Sequence, residues 1–141
     1  MIDMTKKSLF QLLSVRKSDC PFLFELLKER ESKAKISHRK MPTYNNHVKF
    51  VMSKPYAKWY IIKNQDERIG SVYLSNQDEI GISLKKVNQG NGVGKIILEL
   101  LMKKNPRKRY LANINPKNGK LIRFFEKNQF KLLQYTYELR K

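Results

Sequence analysis

Residues 89–95 have the sequence Gln89-Gly90-Asn91-Gly92-Val93-Gly94-Lys95. This glycine-rich turn follows a strand pattern and precedes the most regular helical pattern of the chain. The N-terminus of a helix leaves backbone N–H groups unpaired and carries partial positive charge, and glycines let the backbone approach a ligand closely. The turn therefore predicts a binding site for a phosphate or pyrophosphate group.

Two common phosphate-binding turns do not fit this run. A P-loop ends in Gly-Lys-Ser or Gly-Lys-Thr, and no such ending is present. A dinucleotide-binding fold places its glycine turn after the first strand of a βαβ unit, whereas the strand before Gln89 comes late in a series of strands. The turn therefore belongs to another kind of α/β fold.

Strand and helix patterns surround the turn on both sides. Three strands are predicted before it, at residues 58–64, 68–75 and 79–85, in meander order. The third strand alternates, with Ile80, Ile82 and Leu84 on one face and Glu79, Gly81 and Ser83 on the other. After the turn, apolar residues at positions 93, 96, 97, 100 and 101 predict a helix that ends near Asn105-Pro106.

The outer parts of the chain complete the predicted order of elements. Residues 8–15 are a predicted strand, a helix begins at Pro21, residues 31–41 are a polar loop, and Thr43 caps a short helix. Beyond the central helix we expect a strand at 110–115, a helix at 118–128 and a final strand or hairpin at 130–139. The order β-α-α-β-β-β-α-β-α-β predicts an α/β protein with a mixed sheet. No repeat or linker divides it, so residues 1–141 are expected to form a single domain.

Composition narrows the class of protein. The chain has 141 residues, 40% of them hydrophobic, and a net charge of +18 from 30 basic and 12 acidic residues. This fits one globular domain rather than a disordered polycation. No apolar run approaches the ~20 residues of a membrane span, and we expect a cytoplasmic protein because there is no signal peptide and Cys20 is the single cysteine. The charge indicates an anionic partner or a lysine-rich solvated surface.

Two further motifs complete a known pattern. Gln-x-x-Gly-x-Gly at residues 89–94 follows the fourth predicted strand, and Asn113-Ile114-Asn115-Pro116-Lys117-Asn118 precedes Phe124-Phe125-Glu126-Lys127-Asn128-Gln129-Phe130. In type, order and spacing, over residues 58–139, these motifs resemble the GNAT superfamily of N-acetyltransferases. The resemblance implies a central mixed sheet of six to seven strands flanked by about four helices. It also implies acetyl-CoA as co-substrate and no metal.

The same resemblance assigns cofactor contacts. The fourth strand would pair with pantetheine through Ile82, Ser83 and Leu84, and the glycine turn would hold the pyrophosphate. Asn115 and Asn118 would contact the pantetheine arm or the thiol, and Phe125 would pack against CoA. The turn residues are Gln89, Gly90, Asn91, Gly92, Val93, Gly94 and Lys95.

Candidate catalytic and acceptor-binding residues also follow from the resemblance. Glu79 is the first candidate for the general base, acting directly or through water. Tyr73 is a candidate acid or substrate contact, and His38 a candidate base or substrate ligand. His47, Tyr56 and Trp59 are candidates for one wall of the acceptor site. Most also have a structural interpretation: a surface carboxylate for Glu79, an exposed loop for His38, a partly buried helix position for His47, and core packing for Tyr73 and Trp59.

The sequence departs from the family pattern at two positions. Phe125 stands where many members have the tyrosine that protonates the leaving thiolate, and phenylalanine has no proton to donate. Another group or water must then protonate the leaving thiolate, or the thiolate leaves without protonation. Gln129 stands where a glycine is usual, which affects the turn before Phe130.

The acceptor remains open between three interpretations. The residues around His38, Pro42, Tyr56 and Trp59 are most similar to small acetyltransferases of surface-polysaccharide biosynthesis, whose acceptor is a nucleotide-linked amino sugar. A protein N-terminus or lysine is the second interpretation, and a non-catalytic RNA-binding module the third. The basic run at residues 103–109 favours a solvated helix end over nucleic-acid binding. The last strand, which contains Tyr135 and Tyr137, is compatible with pairing across a homodimer.

Overall fold

The computed structural model describes residues 9–30 and 40–141. Four strands and four α-helices form there, with short 3₁₀ turns at Lys17–Asp19 and Lys86–Asn88. The strands are β1 (Phe10–Ser14), β2 (Lys58–Asn64), β3 (Glu67–Leu74) and β4 (Ile80–Leu84). The helices are α1 (Cys20–Arg30), α2 (Tyr44–Met52), α3 (Val93–Lys104) and α4 (Gly119–Lys127). The predicted loop at 31–41 lies mostly outside the described residues.

The strands form one antiparallel sheet in the order β1-β2-β3-β4. Tyr60 pairs with Val72, and Val72 pairs in turn with Ile82, so the predicted meander is present. The hairpin between β2 and β3 turns at Gln65, whose φ of 57° is left-handed. Helix α3 ends one residue before Asn105, as Pro106 predicted.

Helices cover both faces of the sheet. Ile62 packs in one buried cluster with Ile97 of α3 and Phe125 of α4. Its neighbour Ile61 points to the opposite face and packs with residues of α1 and α2, including Leu23 and Val51. Because successive strand residues alternate between faces, α3 and α4 lie on one side of the sheet and α1 and α2 on the other.

The prediction of six to seven strands is wrong for the described residues. The segment 110–115 meets β4 at a single parallel bridge, Glu79↔Leu111. The N–H of Ile80 donates to the Leu111 carbonyl at 2.7 Å, and the N–H of Leu111 donates to the Asp78 carbonyl at 2.9 Å. No further bridge follows, so the segment 110–115 diverges from β4 and the edge of the sheet opens there.

The last predicted strand is also absent. Residues 131–141 have no regular secondary structure, and the apolar side chains there are 67–90% exposed. A strand needs a neighbouring ladder to satisfy its backbone groups, and the segment 110–115 offers only one bridge. An alternating sequence is therefore not sufficient to form a strand here.

We expect deletion of residues 131–141 to change the free energy of unfolding by less than ~1 kcal/mol, or about 4 °C in Tm. The reason is that the apolar side chains of residues 131–141 are exposed, and no other described residue forms a backbone hydrogen bond with this segment. Phe130→Ala serves as the contrast, because Phe130 packs 4.9 Å from the Phe125 ring and its loss should cost more. A large fall in Tm on deletion, with a dimer becoming a monomer, would instead show pairing between copies.

Candidate active site

A pocket occupies the opening between β4 and the segment 110–115. Its walls include Ile80, Gly81 and Ile82 of β4, Asn113 and Asn115 of the diverging segment, and Phe125 of α4. Arg30 and Tyr73 line it from the side of the sheet covered by α1. The pocket therefore reaches residues of both faces, and it exists because the strands separate after one bridge.

Glu79 is held beside this pocket by fixed hydrogen bonds. Its Oε1 accepts from the Ser75 hydroxyl at 3.0 Å, and its Oε2 accepts from the Asn113 side-chain amide. Ser75 Oγ in turn accepts from the backbone N–H of Glu79 at 3.0 Å. Asn113 thus positions the carboxylate and lines the pocket. The sequence had indicated Asn113 only as part of a motif.

Tyr73 lies across the backbone of β4. Its cross-strand partner is Gly81, and a Cβ at Gly81 would lie 2.1 Å from the Tyr73 ring, so any side chain there would displace it. The ring stacks on Tyr56 with centroids 3.8 Å apart and planes 3° apart. Burial raises the pKa of the Tyr73 phenol, Arg30 opposes this shift and Glu79 adds to it. The phenol therefore keeps its proton at neutral pH and can donate it.

An aromatic cluster extends from Tyr73 toward α2. Trp59 meets Tyr56 edge to face at 4.9 Å, and Phe50 meets both rings at 6.0 and 6.1 Å. Three residues predicted for the site, Tyr56, Trp59 and Tyr73, are thus brought together. Sequence reasoning missed Phe50, whose 45% exposure on α2 leaves an apolar ring at the surface beside the cluster.

Of the two histidines predicted for the acceptor site, the structure describes only His47. His47 is buried between α1 and α2, its ring 5.5 Å from the Phe24 ring, and it is not among the residues that line the pocket. Its Nδ1 has no hydrogen-bond partner among the described residues. The structural interpretation of His47 is therefore favoured over substrate binding. His38 lies outside the described residues.

We expect His47 to make the fold sensitive to acid. Burial lowers the pKa of His47 below its ordinary 6.5, so below that pH the unfolded chain binds a proton that the folded chain excludes. The stability contributed by neutral His47 is present above pH 6.5 and is lost as the pH falls, by no more than about 1.4 kcal/mol per pH unit. Urea unfolding at pH 7.5, 6 and 5 measures this slope. His47→Phe should flatten it, and an equal slope in both proteins would contradict the assignment.

The glycine turn at 89–95 has the geometry of an open helix N-terminus. Gly90 and Gly92 both have φ of +82°, and nothing lies within 4 Å of where their side chains would stand. The first turn of α3 contains no acidic residue, and its N-cap Gly92 provides no side-chain hydrogen bond. The backbone N–H groups at the start of α3 therefore have no capping side chain or acidic side chain beside them, and they can bind an anion.

Two side chains attach this turn to its surroundings. Gln89 Nε2 donates to the Leu84 carbonyl at 2.9 Å, and Lys120 Nζ donates to Gln89 Oε1 at 3.3 Å. Lys95 lies exposed in the first turn of α3, whereas the Val93 side chain is buried in the core. The turn is thus fixed to the end of β4 and has lysines of α3 and α4 beside it.

The predicted contacts on β4 are not equivalent. The N–H of Ile80 faces the segment 110–115, and by the period of two the groups of Ile82 face the same open edge. The carbonyl of Glu79 accepts from the Ser75 N–H at 2.8 Å, so Ser83, which shares its direction, faces β3. Among the described residues, Ile82 therefore has its backbone groups free on the edge, while the Leu84 carbonyl is already bonded to Gln89.

The remaining predicted cofactor residues lie in or near the pocket. Asn115 lines it, and Phe125 lines it from the core side. Asn118 caps α4 through an Oδ1 that accepts from the Leu121 N–H at 3.1 Å, so one lone pair of this oxygen is committed to the helix cap. Gln129 adopts the left-handed region with φ of 72°, a conformation that glycine adopts without steric cost.

Part of the basic run at 103–109 has a structural role. Arg107 Nε forms an ion pair with Asp78 Oδ1 at 2.9 Å, next to the bridge at Glu79. The Tyr110 hydroxyl accepts from the Arg107 N–H and donates to the Asn105 carbonyl at 2.7 Å. These contacts fasten the start of the segment 110–115, which favours a structural use over nucleic-acid binding.

Comparisons with known proteins identify the fold. No family model and no curated protein sequence matches the chain. An acetyltransferase from Thermus thermophilus is 19% identical, with a TM-score of 0.72 over 89% of this chain and 88% of that one. An acetyltransferase from Salmonella typhimurium that modifies an N-terminal serine of a ribosomal protein is 20% identical, with a TM-score of 0.66 over 87% and 81%. A putative Salmonella typhimurium acetyltransferase with its cofactor acetyl-CoA is 14% identical, with a TM-score of 0.70 over 89% and 82%.

These similarities show that the chain has the α/β fold of solved acetyltransferases, the fold that the resemblance of its motifs implied. Within residues 9–30 and 40–141, no helix is long and apolar enough to cross a membrane. No cluster of metal-ligating side chains is present in that same part of the chain.

Proposed function

We propose that the protein is an acetyl-CoA-dependent N-acetyltransferase that acts on a primary amine. The observation that carries the proposal is the opening between β4 and the segment 110–115, with Glu79 and Tyr73 beside it and the glycine turn at the end of the same strand. The solved acetyltransferases of this fold, one of them with acetyl-CoA, support it.

The residues present fit such a co-substrate. The open edge at Ile82 offers an N–H and a carbonyl to the amides of pantetheine, and the uncapped N–H groups at Gly92–Lys95 suit a pyrophosphate. Asn115 and Phe125 line the pocket between these two places. The thioester carbonyl would then lie at the separation of the strands, where a backbone N–H of β4 can stabilise the oxyanion.

Glu79 and Tyr73 divide the proton transfers. Glu79 accepts the proton of the acceptor ammonium directly or through water, which frees the nitrogen lone pair. The nitrogen bonds to the acetyl carbon as the carbon–sulfur bond breaks. Tyr73 then donates its phenolic proton to the sulfur, a role that Phe125 lacks the hydroxyl to perform. The proton released from the new amide nitrogen restores the phenol through solvent, and Glu79 returns its proton to solvent, which is the one proton that the reaction releases.

The lead candidate for the acceptor is an amino sugar, including a nucleotide-linked one. Its support is the aromatic cluster of Phe50, Tyr56, Trp59 and Tyr73, since sugar rings pack their apolar faces on aromatic side chains. The second candidate is a protein N-terminus, which the similarity to the acetyltransferase that modifies a ribosomal protein favours. We expect either reaction to take place in the cytoplasm.

Acetyl-CoA binding and turnover test the proposal. Isothermal calorimetry with acetyl-CoA should show binding, and thiol release should follow addition of glucosamine-type acceptors or of N-terminal peptides. The acceptor with the higher kcat/KM decides between the two candidates. Absence of binding at millimolar acetyl-CoA would overturn the enzymatic proposal and leave a non-catalytic binding module.

A further inference from the structure

Arg30, the last residue of α1, brings a positive charge into the wall of the pocket. Its side chain is half-buried and lines the pocket with Tyr73, Gly81 and Asn113. The ion pairs of the described residues join Glu25 to Lys28, Asp19 to Arg68, Asp78 to Arg107 and Glu138 to Arg140. None of them involves Arg30, so no described carboxylate neutralises its guanidinium.

The position of Arg30 separates it from the glycine turn. Helix α1 covers the face of the sheet that carries Ile61, whereas α3, which begins at the glycine turn, covers the opposite face. The end of α1 does reach the loop before the turn, because the neighbouring Glu29 accepts from the Lys86 N–H. Arg30 itself lines the pocket, and none of the described residues that line this pocket belongs to the glycine turn, so its charge is available to an anion inside the pocket.

Arg30 and Glu79 both act on the Tyr73 phenol, because Arg30 lowers and Glu79 raises its pKa. Arg30 and Tyr73 line the same pocket, and Glu79 is hydrogen-bonded to Asn113 of its wall, so a cation and a candidate base lie around one opening. A small molecule with an ammonium at Glu79 and a negative group at Arg30 would satisfy both. Arginine binds carboxylate and phosphate oxygens through paired N–H groups, and partial exclusion of water strengthens such a contact.

We propose that Arg30 binds an oxyanion of the acceptor, a carboxylate or a phosphate, so that the protein acetylates amines that carry an oxyanion near the nitrogen. This inference rests on the proposed acetyltransferase function and names its substrate class. Two sources supply this chemistry: the carboxylate of an amino acid and the phosphate of an amino-sugar phosphate.

A purely structural role would use the charge of Arg30 only at the C-terminus of α1, where cations interact favourably with the helix dipole. Lys28 is in the same last turn, and its side chain is 52% exposed and pairs with Glu25 at 3.4 Å. Lys28 therefore provides the matched control, because it has the same charge and the same helix end but is not among the residues that line the pocket.

The test compares two acceptor pairs in which one member carries an oxyanion and the other does not: glucosamine 1-phosphate against glucosamine, and alanine against alaninamide. Calorimetric affinity in the presence of CoA and kcat/KM are measured for wild type, Arg30→Gln, Arg30→Lys and Lys28→Gln. In wild type we expect one anionic probe to bind about 10- to 100-fold more tightly than its neutral partner. Arg30→Gln should abolish that preference through KM, Arg30→Lys should keep part of it, and Lys28→Gln should keep all of it.

The two pairs identify the source of the oxyanion, since preference in one pair alone assigns a phosphate or a carboxylate. Equal affinity for both members of both pairs in wild type overturns the inference. An equal loss of preference in Arg30→Gln and Lys28→Gln also overturns it, because general surface charge would then be the cause. If the anionic probes bind preferentially but no amine releases thiol from acetyl-CoA, the oxyanion site stands and the proposed function fails.

Discussion

Glu79→Gln is expected to lower kcat for acetyl transfer by about 10²- to 10⁴-fold, the usual contribution of a general base. The substitution keeps the shape of the side chain. The glutamine oxygen can still accept from the Ser75 hydroxyl, and the Asn113 side-chain amide can flip so that its oxygen accepts from the new NH₂ group, so the local hydrogen bonds survive in altered form. What disappears is the group that takes the proton from the acceptor ammonium.

The pH dependence of kcat/KM separates a base from a mere structural contact. Wild type should show a limb that rises with pH and reports the base, and Glu79→Gln should lose that limb while it binds acetyl-CoA with unchanged affinity. Glu126→Gln, an exposed residue of α4, removes the same charge elsewhere and should change neither quantity. An unchanged pH profile in Glu79→Gln would remove Glu79 from the mechanism.

Lys95→Glu is expected to weaken CoA binding by about 10- to 100-fold, because it replaces a cation beside the pyrophosphate site by an anion. The same change should stabilise the folded protein by about 0.3–1 kcal/mol. Lys95 is in the first turn of α3, where a negative charge interacts favourably with the helix dipole. Affinity and stability should thus move in opposite directions.

Lys103→Glu provides the matched control for this pair of effects. Lys103 is exposed in the last turn of the same helix, roughly 12 Å along the axis, and its replacement alters the net charge by the same amount. It should destabilise the fold by a similar fraction of a kcal/mol and leave CoA affinity nearly unchanged. Calorimetry with CoA and thermal unfolding measure both properties, and an equal loss of affinity in both variants would remove the turn as the pyrophosphate site.

The elements with strong local signals were predicted well. The apolar period of α3, the proline after Asn105 and the Thr43 cap of α2 are properties of short segments, and each element forms where its segment predicts. The tail at 130–139 also alternates, yet it forms no strand. Alternation specifies which side chains share a face, but a strand exists only where a neighbour supplies the ladder.

Some residues of the candidate site were predicted from the sequence, and others were placed there only by the structure. Glu79, Tyr73 and the glycine turn were predicted from residue type and order. Glu79 and Tyr73 lie beside the opening, and the turn follows the end of β4. Arg30 gave no signal in the sequence, because one more arginine among 30 basic residues is not distinctive. His47, which was predicted either as part of the acceptor wall or as a partly buried histidine of α2, packs against Phe24.

By itself the sequence determined the α/β class and the glycine turn before α3, and it supplied the candidates for the acid–base residues, since these depend on periodicity and chemistry along a continuous stretch. Only the tertiary structure decided that the segment 110–115 leaves β4 after a single bridge, and that Arg30 of α1 reaches the same pocket as Asn113 and Phe125. The physical reason is that such meetings depend on packing across both faces of the sheet. A residue carries no local mark of the distant partner against which the fold will place it.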